Sequence, residues 1–157
     1  MKCPAIFPNE PARLAALANY GLDEQQTLQS LEPVVRIASR MFDMPVSAVN
    51  MIGNDHVFFA ASTGVGEVDM GRDVSFCAHA INQLEVMVVP DARTDDRFHD
   101  NPLVTGAANL RFYAGVPLHS PEGLALGALC IIDDKPHHDF SAEDQDRLKE
   151  LAKMVTD

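Results

Sequence analysis

The stretch Asp73-Val-Ser-Phe-Cys-Ala-His-Ala-Ile81 decides how the rest of the chain is read. Ser75 is a good helix N-cap, and the residues after it, to about Asn82, read as one short helix. On either side lie strands. Upstream, Val46–Ile52 reads as a buried strand, Gly53-Asn54-Asp55 as a turn and Val57–Ala61 as the returning strand, which together make a hairpin. Downstream, Val86–Val89 is a strand ended by Pro90. Arg111–Ser120 and Leu126–Asp133 follow, joined by the turn Pro121-Glu-Gly123. Strands joined mainly by hairpins give an antiparallel sheet with the helices segregated from it. The expected class is α+β, with a central antiparallel sheet of five or six strands.

Further out, Asn9 is placed to cap a first helix, with Leu14, Leu17 and Ala18 on one face and Gly21 at its end. Asp23 is placed to cap a second, whose stripe is Leu28, Leu31, Val35, Ala38 and Phe42. Pro33 interrupts that stripe, so the helix either kinks there or restarts with Pro33 in its first turn. At the other end, Ser141 and Asp144 form a capping-box pattern. Leu148, Leu151, Ala152 and Val155 then line one face of a last helix. Gly64 to Gly71 reads as a loop. The segment from Asp91 to Asn109 is long and polar, broken only by Leu103-Val104, and loops of that length are usually functional or partly helical.

The 157 residues make one domain: N-terminal helices over 1–42, sheet and pocket over 45–134, and a C-terminal helix over 141–157. A net charge of −11 with scattered Lys and Arg argues against nucleic acid, which needs a basic stripe, and against anionic membranes. No apolar run approaches the ~20 residues that span a bilayer. The expected compartment is the cytoplasm. Cys3, Cys77 and Cys130 are odd in number and lack C-x-x-C spacing, so neither a disulfide framework nor a zinc site is signalled.

Taken with Val89-Pro-Asp-Ala-Arg-Thr-Asp-Asp-Arg-Phe98 and Arg111-Phe-Tyr-Ala-Gly-Val-Pro-Leu118, the segment at 73–81 resembles a GAF domain. It is similar in particular to the N-terminal GAF domains of bacterial sensor histidine kinases and diguanylate cyclases. The resemblance covers nearly the whole chain. It implies terminal helices on one face of the sheet, and a short helix plus the 91–109 segment closing a pocket on the other. It also implies a sensory, non-enzymatic module that binds a small molecule, dimerises through its terminal helices, and serves a kinase or cyclase effector, fused or separate. The cofactor is open, since neither the adjacent Cys-His pair of bilin carriers nor the Asn-Lys-Phe motif of cyclic-nucleotide phosphodiesterases is present.

Five residues are expected at the ligand: Phe76, His79, Asp91, Arg111 and Tyr113. Period two along the strand sends Arg111, Tyr113 and Gly115 to one sheet face and Phe112, Ala114 and Val116 to the other. Arg111 offers a fork for a carboxylate or phosphate. Its alternative role is an ion pair with a loop aspartate such as Asp91. His79 shares a helix face with Phe76, where it either contacts ligand or bonds locally. Cys77 and His79 are not a nucleophile–base pair, because residues two apart on a helix point roughly 200° apart. Cys77 should instead share a buried face with Ala80, Ile81 and Leu84, and Cys130 reads as a core residue.

Asp91, Asp95, Asp96 and Asp100 lack the glycine and late glutamate of a calcium loop. With Arg93 and Arg97 between them, they read as local ion pairs. His137-His138-Asp139, near Asp133 and Asp134, has metal-ligand residue types, but it reads as an exposed polar turn before the last helix. Two alternative functions remain. The first is a free methionine-(R)-sulfoxide reductase, a GAF-related enzyme that would use Cys77 but needs another cysteine in the long loop. The second is a ligand-free dimerisation module, with Phe76 and Tyr113 packed together in a filled pocket.

Overall fold

The computed structural model describes residues 2–19, 24–64, 70–120 and 122–156. Its elements are α1 (Glu10–Asn19), α2 (Glu24–Phe42), β1 (Val46–Ile52), β2 (His56–Thr63), β3 (Met70–Gly71), α3 (Phe76–Ala80), β4 (Met87–Val89), α4 (Pro102–Thr105), β5 (Phe112–His119), β6 (Ala125–Asp133) and α5 (Ala142–Thr156). The sheet has six strands in the order β3-β2-β1-β6-β5-β4, and every neighbouring pair is antiparallel. The expected end of the first helix at Gly21, the cap at Asp23 and the turn residue Pro121 lie outside the described residues.

Alternation along the strands sorts the core into two layers. Val49 and Met51 of β1, Phe112, Ala114 and Val116 of β5, and Leu129 and Ile131 of β6 pack with the helices. On that face they meet Leu31, Val35 and Ala38 of α2 and Leu148, Leu151, Ala152 and Val155 of α5. Ala48, Tyr113, Ala128 and Cys130 face the other way, toward Phe76, Cys77, Phe98 and Val104. α5 starts as read: the Ser141 and Asp144 side chains each accept the other's backbone N–H.

Two helix readings need correction. Of the two outcomes expected at Pro33, the restart does not occur: α2 runs through Pro33, which lies inside it. Pro33 is exposed while Leu31, Val34 and Val35 are buried. The missing backbone bond therefore falls on the solvent side, while packing holds the turns on the other side. α2 ends at Phe42, and the φ of 52° at the following Asp43 lets Met44 N reach back to Ser39 O. In α1, Ala18 is exposed and the fully buried side chain is Arg13. Arg13 donates to Ile52 O and bonds Glu10 through two nitrogens, and Glu10 also receives Arg72. The two guanidiniums are tolerated there because they share the Glu10 carboxylate and donate to backbone carbonyls.

The polar segment 91–109 is not an open loop. It holds a 3-10 turn at Ala92–Thr94, then α4. Phe98 is fully buried, and the Asn101 side chain caps Leu103 N while donating to Val74 O.

Candidate functional site

Between the sheet and α3 lies a cavity of about 320 Å³. Its floor is the non-helical face of the sheet, through Val46, Ala48 and Asn50 of β1, Phe59 of β2, Tyr113 of β5 and Ile132 of β6. Ser75, Phe76 and Cys77 form one wall, and Leu103, Ala108 and Leu110 form another. Ala108 is exposed as well as lining, so it stands at the mouth. Among the described residues the lining carries no charged side chain; its polar groups are the Asn50 amide, the Ser75 hydroxyl, the Cys77 thiol and the Tyr113 hydroxyl.

Local chemistry fixes the α3 wall. Ser75 caps the helix as read, its Oγ accepting Ala78 N at 3.2 Å. That cap aims Phe76 and Cys77 at the sheet. Phe76 stacks on Phe98 with ring centroids 3.8 Å apart and meets Tyr113 at 5.4 Å. The Phe76–Tyr113 contact expected of a filled pocket is therefore present, yet an open volume remains beside it. Outside, the N-terminal segment straps α3: His79 Nε2 bonds Lys2 O, and Asn82 donates to Ala5 O.

Beneath the cavity sits a buried polar knot. Tyr113 Oη donates to Cys77 Sγ at 2.9 Å. Asn50 Nδ2 donates to Cys77 Sγ at 3.3 Å and lies 3.9 Å from Cys130 Sγ. Burial works to raise the Cys77 thiol pKa, but the hydrogen bonds from Cys130, Tyr113 and Asn50 outweigh it and bring it below its ordinary value. Cys130 moves well up, through its bond to Cys77 and through burial, and Tyr113 moves up chiefly through burial. Cys77 is thus the group of the three that ionises first.

Of the five residues expected at the ligand, Phe76 and Tyr113 line the cavity, and His79, Asp91 and Arg111 do not. His79 makes its local bond to Lys2 and packs edge-on against Phe98. Burial holds its imidazole below the ordinary pKa. Asp91 caps the 3-10 turn through Arg93 N and pairs with the Arg93 side chain. Arg111 donates to Val104 O, Leu110 O and Asn109 Oδ1, and so anchors the end of α4. β5 begins one residue after it, which frees its side chain from the strand's alternation.

Cys77 is buried as read, but Leu84 is exposed, because α3 ends at Ala80. Asp95 pairs with Arg97, and His137 with Asp133. Among the described residues no group of three or more metal-ligating side chains forms. Sequence reading missed Asn50, which carries no signal inside an apolar run, and Phe98, which sits in a polar one.

The GAF domain family model matches residues 26–156. A cyclic di-GMP phosphodiesterase of Pseudomonas aeruginosa is 36% identical over 155 residues, covering 99% of this chain and 26% of the relative. The chain thus spans about a quarter of that protein's length. A free methionine-R-sulfoxide reductase from Neisseria meningitidis, solved with its substrate, superposes with a TM-score of 0.67 at 16% identity, covering 99% of this chain and 93% of the other. The GAF domain of a phosphoenolpyruvate-protein phosphotransferase from Coxiella burnetii gives 0.65 at 15% identity, covering 94% and 92%. At those identities the superpositions speak for the fold. The six-stranded antiparallel sheet, the helical layer on one face and the roofed cavity on the other agree with the sequence match: this chain belongs to the GAF domain family.

Proposed function

We propose that the chain is a sensory and regulatory module without chemistry of its own, which binds a small molecule between the sheet and α3. The observation that carries this reading is the cavity of about 320 Å³, walled by residues of five strands, α3 and the 103–110 segment, with a mouth at Ala108. Its output runs through α2 and α5, which pack on the opposite face of the same strands and on each other. These helices pair with a second copy, and the effector is a kinase, a cyclase or, following the Pseudomonas relative, an enzyme acting on cyclic di-GMP. No helix among the described residues is long and apolar enough to cross a membrane. The ligand shifts the helices only to the extent that it prefers one of two states.

Native mass spectrometry of the purified chain, before and after denaturation, tests this together with a thermal-shift screen of metabolites. The expected result is a co-purifying mass, or a rise in melting temperature that Ala108→Trp abolishes by blocking the mouth. An empty protein with no shift across the screen overturns ligand sensing and favours a dimerisation module.

One observation favours the redox alternative: Cys77, the more acidic thiol, lies at the cavity beside Cys130. Two count against it. No cysteine stands between Cys77 and Cys130, and the described lining offers no charge to a zwitterionic substrate. Turnover of free methionine sulfoxide that Cys77→Ser abolishes would establish the reductase; no turnover removes it.

A further inference from the structure

Asn50 lines the cavity with only 5% of its surface exposed, and its amide is half used. Nδ2 donates to Cys77 Sγ, whereas Oδ1 is buried and accepts no hydrogen bond. The neighbouring hydroxyl does not supply one, because Tyr113 Oη is committed to the Cys77 sulfur. A buried carbonyl left unpaired costs ~1–3 kcal/mol, a cost that apolar side chains of similar shape would not carry. The position is held by construction: β2 carries a bulge opposite Val49 and Asn50, the irregularity that re-aims side chains beside sites. Across β6, a Cβ on Gly127 would strike Asn50 O at 2.0 Å, so β1 is pressed close there.

Resting on the ligand-binding reading above, we propose that the cavity takes a neutral, largely apolar small molecule with one hydrogen-bond donor, seated so that the donor meets Asn50 Oδ1. Three observations set this class. The orphan group is an acceptor, so the ligand must donate. The described lining has no charged side chain, and the nearby ionic groups are spent: Arg111 on the carbonyls of Val104 and Leu110, Asp91 on Arg93. A carboxylate, phosphate or zwitterion would therefore be buried without a counter-charge. Most of the remaining surface, with Phe59, Phe76, Leu110 and Ile132, is hydrocarbon.

A matched probe set tests this: indole, 1-methylindole, which lacks the donor, and indole-3-carboxylate, which adds a charge. The chain has no tryptophan, so probe fluorescence reports binding without tryptophan background. Wild type should bind indole, bind 1-methylindole about tenfold more weakly, and not bind the carboxylate at neutral pH. Asn50→Leu, checked for folding by circular dichroism, should bind indole and 1-methylindole equally; the wild-type comparison decides even if that variant fails to fold. Equal wild-type binding of indole and 1-methylindole, or carboxylate binding as tight as indole, overturns the inference and leaves the cavity a binding site. If no probe binds but the metabolite screen finds a ligand blocked by Ala108→Trp, the inference falls and the sensor reading stands. If no probe binds and the screen is empty, both fall.

Discussion

Tyr113 Oη and Cys77 Sγ are 2.9 Å apart, and this contact ties the start of β5 to α3 across the floor of the cavity. A hydroxyl donor aimed at sulfur stabilises the thiolate over the thiol. Removing it with Tyr113→Phe should raise the Cys77 pKa further from neutrality. In a Cys3→Ser background, which removes the exposed thiol, alkylation of Cys77 by iodoacetamide at neutral pH should slow by about tenfold. Intact-mass kinetics measure it; an unchanged rate means the hydroxyl does not tune the sulfur.

Glu10 sits between Arg13 and Arg72, both almost fully buried, and its own side chain keeps 13% exposure. The bond from Arg13 and then that from Arg72 outweigh burial and lower the Glu10 pKa to about 2. A carboxylate depressed on folding stabilises above its unfolded pKa and loses that contribution as pH falls. Stability from this cluster should therefore be full above about pH 4.5 and fade toward about pH 2. Glu10→Gln should cost about 3 kcal/mol at pH 7, because it strands two buried guanidiniums. Urea unfolding at pH 7 and pH 3 checks both: the gap between wild type and variant should narrow at the lower pH.

Asn50→Leu should leave the empty protein as stable as wild type, or up to ~1 kcal/mol more stable, since it removes a buried orphan acceptor and loses only weak N–H···S bonds. Chemical denaturation of ligand-free protein measures it. A loss above about 2 kcal/mol would assign Asn50 a mainly structural role.

Gly127→Ala should destabilise by about 2 kcal/mol or more, because the new Cβ meets the Asn50 carbonyl and Met51 Cα, both backbone and unable to rotate away. Gly123 has φ of 85° and open space where a side chain would stand, so Gly123→Asn, a residue that tolerates that conformation, should change stability by less than ~0.5 kcal/mol. Thermal melts of the two variants side by side separate close approach from turn geometry.

The sheet and its two faces were legible because they rest on local rules. Phe112, Ala114 and Val116 alternate with Tyr113, and Ser75 and the Ser141–Asp144 box mark helix starts. The lining of the cavity was less legible, for equally physical reasons. Arg111 offers a fork to any acceptor, and it is taken up by two backbone carbonyls, Val104 O in α4 and Leu110 O just before β5. Asn50 stands within an apolar strand, and only its partner Cys77, 27 positions away in sequence, reveals it. The burial of Arg13 depends on carbonyls of β1 and β6, which no window around residue 13 contains.

The alternation of β1 has a mechanical consequence. Asn50 looks into the cavity, while its immediate neighbours Val49 and Met51 lie among the side chains of the helical layer. Peptide planes are rigid, so a force that displaces Asn50 displaces both neighbours. One residue along β1 separates the wall of the cavity from the underside of α2, so under the proposed sensing role the strand would act as a thin diaphragm rather than a relay.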